Sequence, residues 1–247
     1  MTNIREDNGL DKMRKILVYS CVSGDYDDLA RSLYASECFP EDNVRFVLFT
    51  NTNKEFCVGT KSGVQWRVKP LLWKHPSCNR RTARWHKVNS HLIPGDHEVA
   101  VWIDDTHCAK KISVSSQLVE ASIGSNTSAS LFTFKHPIRR CVYQELDACI
   151  RYNKDNPHLM HTQVASYRQE GYPELNGMVE TGCVLRKVNQ PTALFNSEWW
   201  TEIQKYSFRD QLSFNYVAWK SNFRYGILPG SGTESPFFRY VKHKNHA

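Results

Sequence analysis

The sequence predicts an α/β protein with a mainly parallel central sheet, flanking helices and a small antiparallel appendage. Short β-rich apolar runs alternate with segments of helical spacing through the first half of the chain. One of these runs, residues 98–103, is almost continuously apolar, which is typical of a central strand covered on both faces. The second half alternates less regularly, and this irregularity predicts the antiparallel part.

The first half contains four predicted strands and two predicted helices. Gly24 interrupts the chain after the first apolar run, Pro40 follows the first helical segment, and Asn51 ends the second strand. The strands are expected over residues 15–22, 44–50, 64–68 and 98–103, and the helices over residues 26–38 and 80–92.

The second half contains two predicted strands and five predicted helices. Gly177 precedes the second strand, Tyr172 and Pro173 end the third helix, and Asp210 opens the last helix. The strands are expected over residues 129–134 and 180–186, and the helices over residues 112–123, 142–152, 164–171, 193–205 and 211–220.

The length of 247 residues predicts one domain, and the composition is that of a globular protein. This composition excludes disordered, collagen-like and coiled-coil chains. We expect a flexible N-terminus over residues 1–14, a single domain over residues 15–240 and a tail over residues 241–247. The net charge of +7 indicates anionic partners such as nucleotide phosphates, nucleic acid or acidic lipid headgroups.

The cysteines and the N-terminus indicate a cytoplasmic protein. None of the eight cysteines forms a pair separated by two residues, so the sequence shows no zinc ribbon or redox motif, and buried reduced thiols are expected. The N-terminus has no apolar signal core, and no apolar run approaches the roughly 20 residues that span a bilayer. We therefore expect a protein without a transmembrane segment, or one expressed without its anchor.

The strongest chemical signal is the pair of acids, Asp104 and Asp105, that follows the apolar strand. Ligands of open α/β sheets bind at the carboxyl ends of the strands, and carboxylates there suit a divalent cation that holds a diphosphate. Because side chains alternate in extended chain, Asp105 and His107 are expected to point the same way and chelate together. The alternative is that Asp104 caps a turn and Asp105 is solvated.

A basic run precedes these acids by about a dozen residues. Arg80, Arg84, Lys87 and His91 share one face of the predicted helix, and guanidinium and ammonium groups match phosphate oxygens. Arg81 belongs to the same run and is also a candidate for binding a nucleotide phosphate. The alternative is a solvated helix face.

The turn after the first strand is a weaker candidate. Ser20 and Gly24 allow close approach of the backbone to a nucleotide, and Tyr26 is placed to stack on a base. An ordinary half-buried role for Tyr26 fits equally well. The chain has no Gly-rich phosphate-binding motif.

Later segments of the chain supply further candidate functional residues. Glu180 precedes a buried strand, which is a costly place for an idle carboxylate, and Asp210 is either a second functional acid or a helix N-cap. Trp199 and Trp200 are either core residues or a platform that stacks a sugar ring. His136 and Arg139 belong to a further patch that suits an anion.

The order of these segments resembles the GT-A glycosyltransferases, and more closely the TOD/MUCI glycosyltransferase-like domain family. The resemblance covers roughly residues 15–222, and residues 210–215 are also similar to the Asp-Gln…Asn signature of glycogenin-type retaining enzymes. The matching motifs are KILVYSCVSGDY over residues 15–26, ARWHK over 83–87, VWID over 101–104, HPIRRCVYQE over 136–145 and ETGC over 180–183.

The resemblance implies a Rossmann-like GT-A fold with a nucleotide sugar in a cleft above the sheet. Residues 15–107 would form the nucleotide-binding half and residues 108–240 the acceptor-side half. Asp104 would meet the donor ribose or a metal, and Arg84 and Lys87 would face the diphosphate. Glu180 and Asp210 would lie near the sugar or the acceptor as the catalytic carboxylates. Acceptor contacts would come from His136, Arg139, Thr181 and Gln211.

A divalent cation, Mn²⁺ or Mg²⁺, is also implied by the resemblance. GT-A enzymes often take a late histidine as a metal ligand, for which His243 is the candidate here. The family's Asp-x-Asp motif is replaced by Asp104-Asp105-Thr106, so we expect Asp105 to bind the cation together with His107 or His243.

The expected activity is therefore glycosyl transfer from a nucleotide-diphosphate donor, with a UDP-sugar favoured, to a hydroxyl acceptor such as a glycan. One alternative is a protein that acts on nucleic acid, as a binding protein or by adding a sugar to a modified DNA base. Others are a nucleotidyltransferase on a related fold and a non-catalytic lectin-like module. The sequence leaves the donor sugar, the stereochemistry and the oligomeric state open.

Overall fold

The computed structural model describes residues 13–24, 36–124 and 127–241. Its strands are β1 Ile16–Val22, β2 Val44–Thr50, β3 Phe56–Gly59, β4 Gln65–Pro70, β5 Val99–Ile103, β6 His107–Ala109, β7 Leu131–Lys135, β8 Val179–Lys187, β9 Gly226–Leu228 and β10 Phe238–Tyr240. Its helices are α1 Asn79–Val88, α2 Ala121–Ile123, α3 Val142–Arg151, α4 Pro157–Gln169, α5 Gln190–Lys205 and α6 Asp210–Lys220. A 3₁₀ turn covers Ser90–Leu92 and a π-helical segment covers Val114–Glu120.

Eight of the strands form one sheet in the order β3-β4-β2-β1-β5-β8-β7-β9. The block β4-β2-β1-β5 is parallel, whereas β8 runs antiparallel to both β5 and β7. Strands β6 and β10 form a separate antiparallel pair. These features confirm the predicted α/β class, the mainly parallel sheet and the small antiparallel appendage.

The sheet is covered on both faces, as the apolar run of β5 predicts. All five residues of β5 are buried. Leu17 and Trp102 point to the face covered by α1, α3, α4, α5 and α6. Val18 and Val101 point to the other face, where they share a core with the π-helical segment and the β6/β10 pair. A strand with both faces buried holds its last residues in a fixed position, which matters for the acids that follow β5.

The predicted helix over residues 80–92 is wrong at its C-terminal end. Helix α1 ends at Val88, and Asn89 leaves the helical region with a ψ angle of 46°. The backbone N–H and the side-chain amide of Asn89 both donate to the carbonyl of Trp85, one of the last helical acceptors. His91 therefore lies in the 3₁₀ turn and leaves the basic stripe.

Two other helices also differ from their predicted form. Helix α4 begins at Pro157, seven residues before the predicted start, because Asn156 caps it by accepting from the Leu159 N–H and proline suits the first helical turn. The segment predicted as a helix over residues 112–123 is mostly π-helical. The helix predicted over residues 26–38 falls mainly outside the described residues.

Four short strands, β3, β6, β9 and β10, are absent from the predictions. Each has only three or four residues, too few to show a periodic pattern. Each forms by pairing with a strand elsewhere in the chain, such as Phe238 of β10 opposite Ala109 of β6.

Candidate active site

A cavity of about 940 Å³ opens at the carboxyl ends of β1 and β5. The chain leaves β1 toward β2 and β4 on one side and returns to β5 on the other, so these ends mark the point where the strand order reverses. Ligands of open α/β sheets bind at such points. The lining includes Val22 and Ser23 from β1 and its turn, Asp104 and Asp105 after β5, and residues of α1.

The turn after β1 is held close to the start of α1. The Gly24 N–H donates to Oδ1 of Asn51 at 2.7 Å, and Ser23 Oγ lies 3.3 Å from Oδ1 of Asn79. Gly24 has a φ angle of +77°, and a Cβ there would lie 2.1 Å from Nδ2 of Asn79. Only glycine fits this approach, as the small-residue turn predicts. The Ser20 side chain is buried below the turn and does not line the cavity. Tyr26 lies outside the described residues.

Helix α1 divides its basic residues among three environments. Arg80 and Arg84 line the cavity. Lys87 lies beneath it, with its side chain 1% exposed. Arg81 points to a different neighbour, because its guanidinium donates to the backbone carbonyls of Tyr206, at 2.6 Å, and Ile203. Arg81 therefore ties α1 to the end of α5, away from the cavity.

A cluster of buried, oppositely charged side chains lies next to the cavity, with Asp210 at its centre. The Nε of Arg84 lies 2.8 Å from Oδ1 of Asp210, and the Nζ of Lys87 lies 2.7 Å from Oδ2. Thr181 Oγ1 donates to the same Oδ2 at 2.6 Å and accepts from Lys87 at 3.1 Å. Lys87 also contacts Oδ1 of Asp104 at 3.3 Å. The cluster joins α1, α6, β8 and the end of β5.

The environment of Asp210 keeps it ionised. Burial alone would raise the pKa of Asp210, but the charges of Arg84, Lys87 and Arg209 outweigh burial and hold this pKa well below its usual range. Both carboxylate oxygens are occupied by these partners. Asp210 is therefore a fixed negative charge that organises the surrounding cations.

The acids after β5 are fixed by neighbours on both sides. The indole N–H of Trp102 donates to Oδ1 of Asp104 at 2.6 Å, and the Asp104 backbone N–H donates to the carbonyl of Gly182 at 2.7 Å. The Asp104 side chain is 25% exposed, and both Asp104 and Asp105 line the cavity. The carboxylates thus stand at the cavity wall, and Asp104 also contacts Lys87 of α1.

Strand β8 bulges where it passes these acids. The register against β7 jumps between Thr133, opposite Val184, and Phe134, opposite Glu180. Thr133 Oγ1 lies 2.7 Å from both the Glu180 and the Cys183 carbonyl oxygens, which holds the extra residues in place. Such bulges redirect side chains. Here the bulge directs Thr181 into the charged cluster.

Glu180 lies at the start of this bulge and His107 packs beside it, and neither residue lines the main cavity. Glu180 is half-buried, and burial raises its pKa, although the Gly232 N–H and the charge of Arg139 lower it in part. The Nδ1 of His107 lies 3.2 Å from Thr106 Oγ1, and burial lowers the pKa of His107. A Cβ on Gly182 would lie 2.4 Å from the His107 ring, so the bulge requires glycine there.

The predicted cation ligands are only partly assembled. Asp105 is at the cavity, whereas the ring of His107 packs against Phe238 and Tyr240 and does not line it. His243 lies outside the described residues. Within the described part of the chain, no three His, Cys, Asp or Glu side chains are grouped to hold a metal ion. Asp104 and Asp105 alone suit a cation that takes its other ligands from phosphate oxygens and water.

The predicted acceptor residues occupy two places. Gln211 lines the main cavity, and its Nε2 donates to the carbonyl of Val179. His136 lines a second cavity of about 740 Å³, and its Nδ1 accepts from the N–H groups of Ile138 and Arg139. The Arg139 guanidinium pairs with the buried carboxylate of Glu145. Thr181 belongs to the charged cluster and lines neither cavity.

Two cations of the main cavity, Lys154 and Arg209, are absent from the predictions made from the sequence. Arg209 is the neighbour of Asp210 in the chain, and this adjacency was the available signal. Lys154 lies in the loop between α3 and α4, where no periodic pattern marks it. With Arg80 and Arg84 they place four cationic side chains at the cavity, of which Arg84 is paired with Asp210 and Arg209 lies 3.9 Å from Glu145. Such a lining suits an anionic ligand.

Comparison with known proteins gives two further findings. A family model for the TOD1/MUCI70 glycosyltransferase-like domain matches residues 3–229. The chain is also 24% identical over 223 residues to the probable hexosyltransferase MUCI70 of Arabidopsis thaliana, a match that covers 84% of this chain and 38% of that protein. The chain thus spans about two fifths of the length of this relative. Among the described residues, no helix has the length and apolar character needed to cross a membrane.

Proposed function

Because the chain belongs to the TOD1/MUCI70 glycosyltransferase-like domain family, we propose that it transfers a sugar from a nucleotide-diphosphate donor to a hydroxyl acceptor. The observation that carries this proposal is the cavity at the strand-order reversal, where two carboxylates face four cations. A nucleotide sugar has the matching pattern of a diphosphate beside ribose hydroxyls. A UDP-sugar is the proposed donor, and the name of the Arabidopsis relative favours a hexose.

In this proposal Arg80, Arg84, Lys154 and Arg209 hold the donor diphosphate. These side chains reach the cavity from α1, from the α3–α4 loop and from the residue before α6. Asp210 fixes Arg84 in place, so this guanidinium is oriented before the donor binds. As the bond between sugar and diphosphate breaks, negative charge grows on the leaving group, and preorganised cations stabilise that charge.

Asp104 and Asp105 are assigned to the ribose and to a cation. Asp104 is held rigidly by Trp102 and by the backbone of Gly182, which suits an acceptor of hydrogen bonds from ribose hydroxyls. Asp105 is the proposed protein ligand of Mn²⁺ or Mg²⁺. When bound, such a cation neutralises charge on the diphosphate.

We assign the proton acceptor to Glu180 in preference to Asp210. A general base works best when its pKa lies near the working pH, and burial moves the pKa of Glu180 in that direction. Asp210 has the opposite shift, and both of its oxygens are occupied. In the transfer step the acceptor oxygen bonds to the anomeric carbon, the bond from that carbon to the diphosphate oxygen breaks, and the hydroxyl proton passes to Glu180.

The acceptor is proposed to be a glycan hydroxyl that approaches from the side of His136. The second cavity lies on this side, and its volume is in the range of small-molecule sites. The loop that lines it, residues 229–236, also contacts Glu180. Glu180 itself lines neither cavity, and the contact of this loop with Glu180 is the link between the proposed acceptor site and the proposed base.

A donor panel tests this function. Thermal unfolding is measured with UDP-, GDP- and CDP-sugars, with and without Mn²⁺. A donor at 100 times its dissociation constant should stabilise the protein by about 2.7 kcal/mol. The matched control is Asp104→Asn, which removes a charge from the cavity wall and should reduce the stabilisation while the fold is kept. The proposal is wrong if no nucleotide sugar stabilises the protein under any of these conditions.

A further inference from the structure

The loop between β9 and β10, residues 229–236, crosses the bulge of β8 and touches Glu180. Its path is fixed at several points. Gly230 has a φ angle of +86°, and the Ser231 N–H donates to the Glu234 carbonyl at 2.8 Å, which closes a tight turn. Lys110 donates from Nζ to the Ser235 carbonyl at 2.7 Å and so anchors the loop to the chain after β6.

Gly232 is the buried residue of this turn, between the half-buried Ser231 and the exposed Thr233. Its backbone N–H donates to Oε2 of Glu180 at 2.8 Å. A Cβ on residue 232 would lie 3.0 Å from Nε2 of His107 and 3.2 Å from Oε2 of Glu180. The loop can approach both side chains this closely because residue 232 has no side chain.

We propose that Gly232 is a positioning residue, whose backbone N–H holds the Glu180 carboxylate in the orientation that proton transfer requires. The proposal rests on the role assigned to Glu180 above. Because Oε2 is occupied by the N–H, Oε1 is left as the oxygen that accepts the proton. A donor on the ionised carboxylate also counteracts the burial that would otherwise keep Glu180 protonated.

The groups that face Glu180 come from several elements. The Gly232 N–H comes from the β9–β10 loop, Arg139 from the segment before α3, Glu145 from α3 and His107 from β6. Arg139 favours the ionised carboxylate and Glu145 disfavours it. Gly232 is the member of this set that hydrogen bonds to Glu180 directly, so its removal should change the titration of Glu180 without changing a formal charge.

The experiment measures the titration of Glu180 itself. The side-chain carboxyl carbon of Glu180, assigned by its loss in Glu180→Gln, is followed by ¹³C NMR across pH in the wild-type protein and in Gly232→Ala. The added methyl group would lie 3.0 Å from Nε2 of His107 and 3.2 Å from Oε2 of Glu180, so these side chains must move away from it. The hydrogen bond from the N–H to Glu180 should lengthen, and the midpoint should move upward. Thr233→Ala is the matched control, because it alters the exposed neighbour and leaves the N–H of residue 232 in place.

Enzyme kinetics provide a second test of the role of Gly232. For Gly232→Ala we expect kcat at pH 6 to fall by about tenfold, with a donor KM close to that of the wild type, and the acid limb of the pH profile to move upward. If the variant does not fold, Lys110→Met replaces it, because this change releases the loop at its anchor and should move the midpoint in the same direction. A folded Gly232→Ala or Lys110→Met with an unchanged midpoint overturns the proposal.

Different results would contradict the assignment of Glu180 as the proton acceptor and the positioning role of Gly232. The NMR titration requires no turnover, so it reports on the Gly232 N–H even in a protein without measured transfer. Full activity of Glu180→Gln would remove the base assignment and with it the positioning role of Gly232. An inactive Glu180→Gln together with an unchanged midpoint in Gly232→Ala would remove the role of Gly232 alone.

Discussion

The ammonium nitrogen of Lys87 lies 2.7 Å from Oδ2 of Asp210, and the two side chains are 1% and 2% exposed. Lys87 is on α1, and Asp210 is the first residue of α6. Arg84, one helical turn before Lys87, binds the other oxygen of the same carboxylate. One buried acid therefore fixes two cations, and with them the face of α1 that borders the cavity.

Replacement of this acid should destabilise the fold. Asp210→Asn removes the charge that Arg84 and Lys87 share and leaves Lys87 only its 3.3 Å contact with Asp104. The loss of one partner of a buried ion pair costs about 3–5 kcal/mol. Chemical denaturation measures the change in the free energy of unfolding. Lys87→Met with Asp210→Leu is the matched double variant, and it should recover part of this loss because no uncompensated Lys87–Asp210 charge is left. A folded Asp210→Asn of wild-type stability would contradict the central role of Asp210.

Glu180→Gln should separate catalysis from binding. If Glu180 accepts the acceptor proton, the change should lower kcat by about 10²–10⁴-fold, while donor binding stays near the wild-type value. Transfer to the acceptor and thermal shift with the donor are measured on the same preparation. Loss of donor binding in parallel with kcat would instead place Glu180 in the donor site.

The parallel half of the fold and its principal site were accessible from the sequence for a physical reason. A strand buried on both faces must be apolar throughout, so β5 was recognisable and Asp104 and Asp105 were placed at its end. Arg80 and Arg84 were found because helical spacing sets which side chains share a face. In the structure these residues line one cavity.

The other features of the site depend on contacts between segments that are far apart in the sequence. Asp210 was expected to be a catalytic candidate or a cap, and its burial among Arg84, Lys87 and Thr181 arises only when α1, α6 and β8 pack together. The bulge in β8 is likewise invisible in the residues from Glu180 onward, since it results from the pairing with β7. Local patterns therefore located the cavity but not the partners of its charges.

The stability of the protein should depend on pH through His86. This histidine is fully buried, its Nδ1 bonds to the Thr82 carbonyl, and its Nε2 accepts from the Leu72 N–H. Burial lowers the pKa of His86 to about 4, despite the bond to Thr82, which raises it. Because the pKa of His86 in the folded protein is below the unfolded value of about 6.5, the neutral imidazole stabilises the fold. This contribution to the free energy of unfolding is complete above pH 6.5 and is lost as pH falls toward 4.

The expected size of the His86 contribution is about 3 kcal/mol over this pH range. Denaturation between pH 4 and pH 7 measures it. His86→Gln should be less stable at pH 7 and should show a shallower decrease in acid, whereas His158→Gln, a change at an exposed histidine, should keep the wild-type pH dependence. Parallel curves for wild type and His86→Gln would show that His86 does not titrate in this range.

Arg209→Ala should weaken binding of the diphosphate. Arg209 lines the cavity, and its Nη2 lies 3.9 Å from the buried Glu145 and 3.3 Å from Oε1 of Gln211, so the side chain is held in place before a ligand arrives. Loss of one charge-assisted hydrogen bond, worth about 1.5–3 kcal/mol, should reduce the affinity for UDP by about tenfold or more.

Calorimetry with UDP and with inorganic pyrophosphate, at two salt concentrations, measures the effect of Arg209→Ala. The control is Arg168→Ala, because Arg168 is largely exposed, pairs with Glu174 and is absent from the cavity lining. Both ligands should lose a similar factor, since they share the diphosphate, and the dependence on salt should become weaker in Arg209→Ala because one cation is gone. Equal affinities for wild type and Arg209→Ala would show that the diphosphate is held by the other cations of the cavity, such as Arg80 and Arg84.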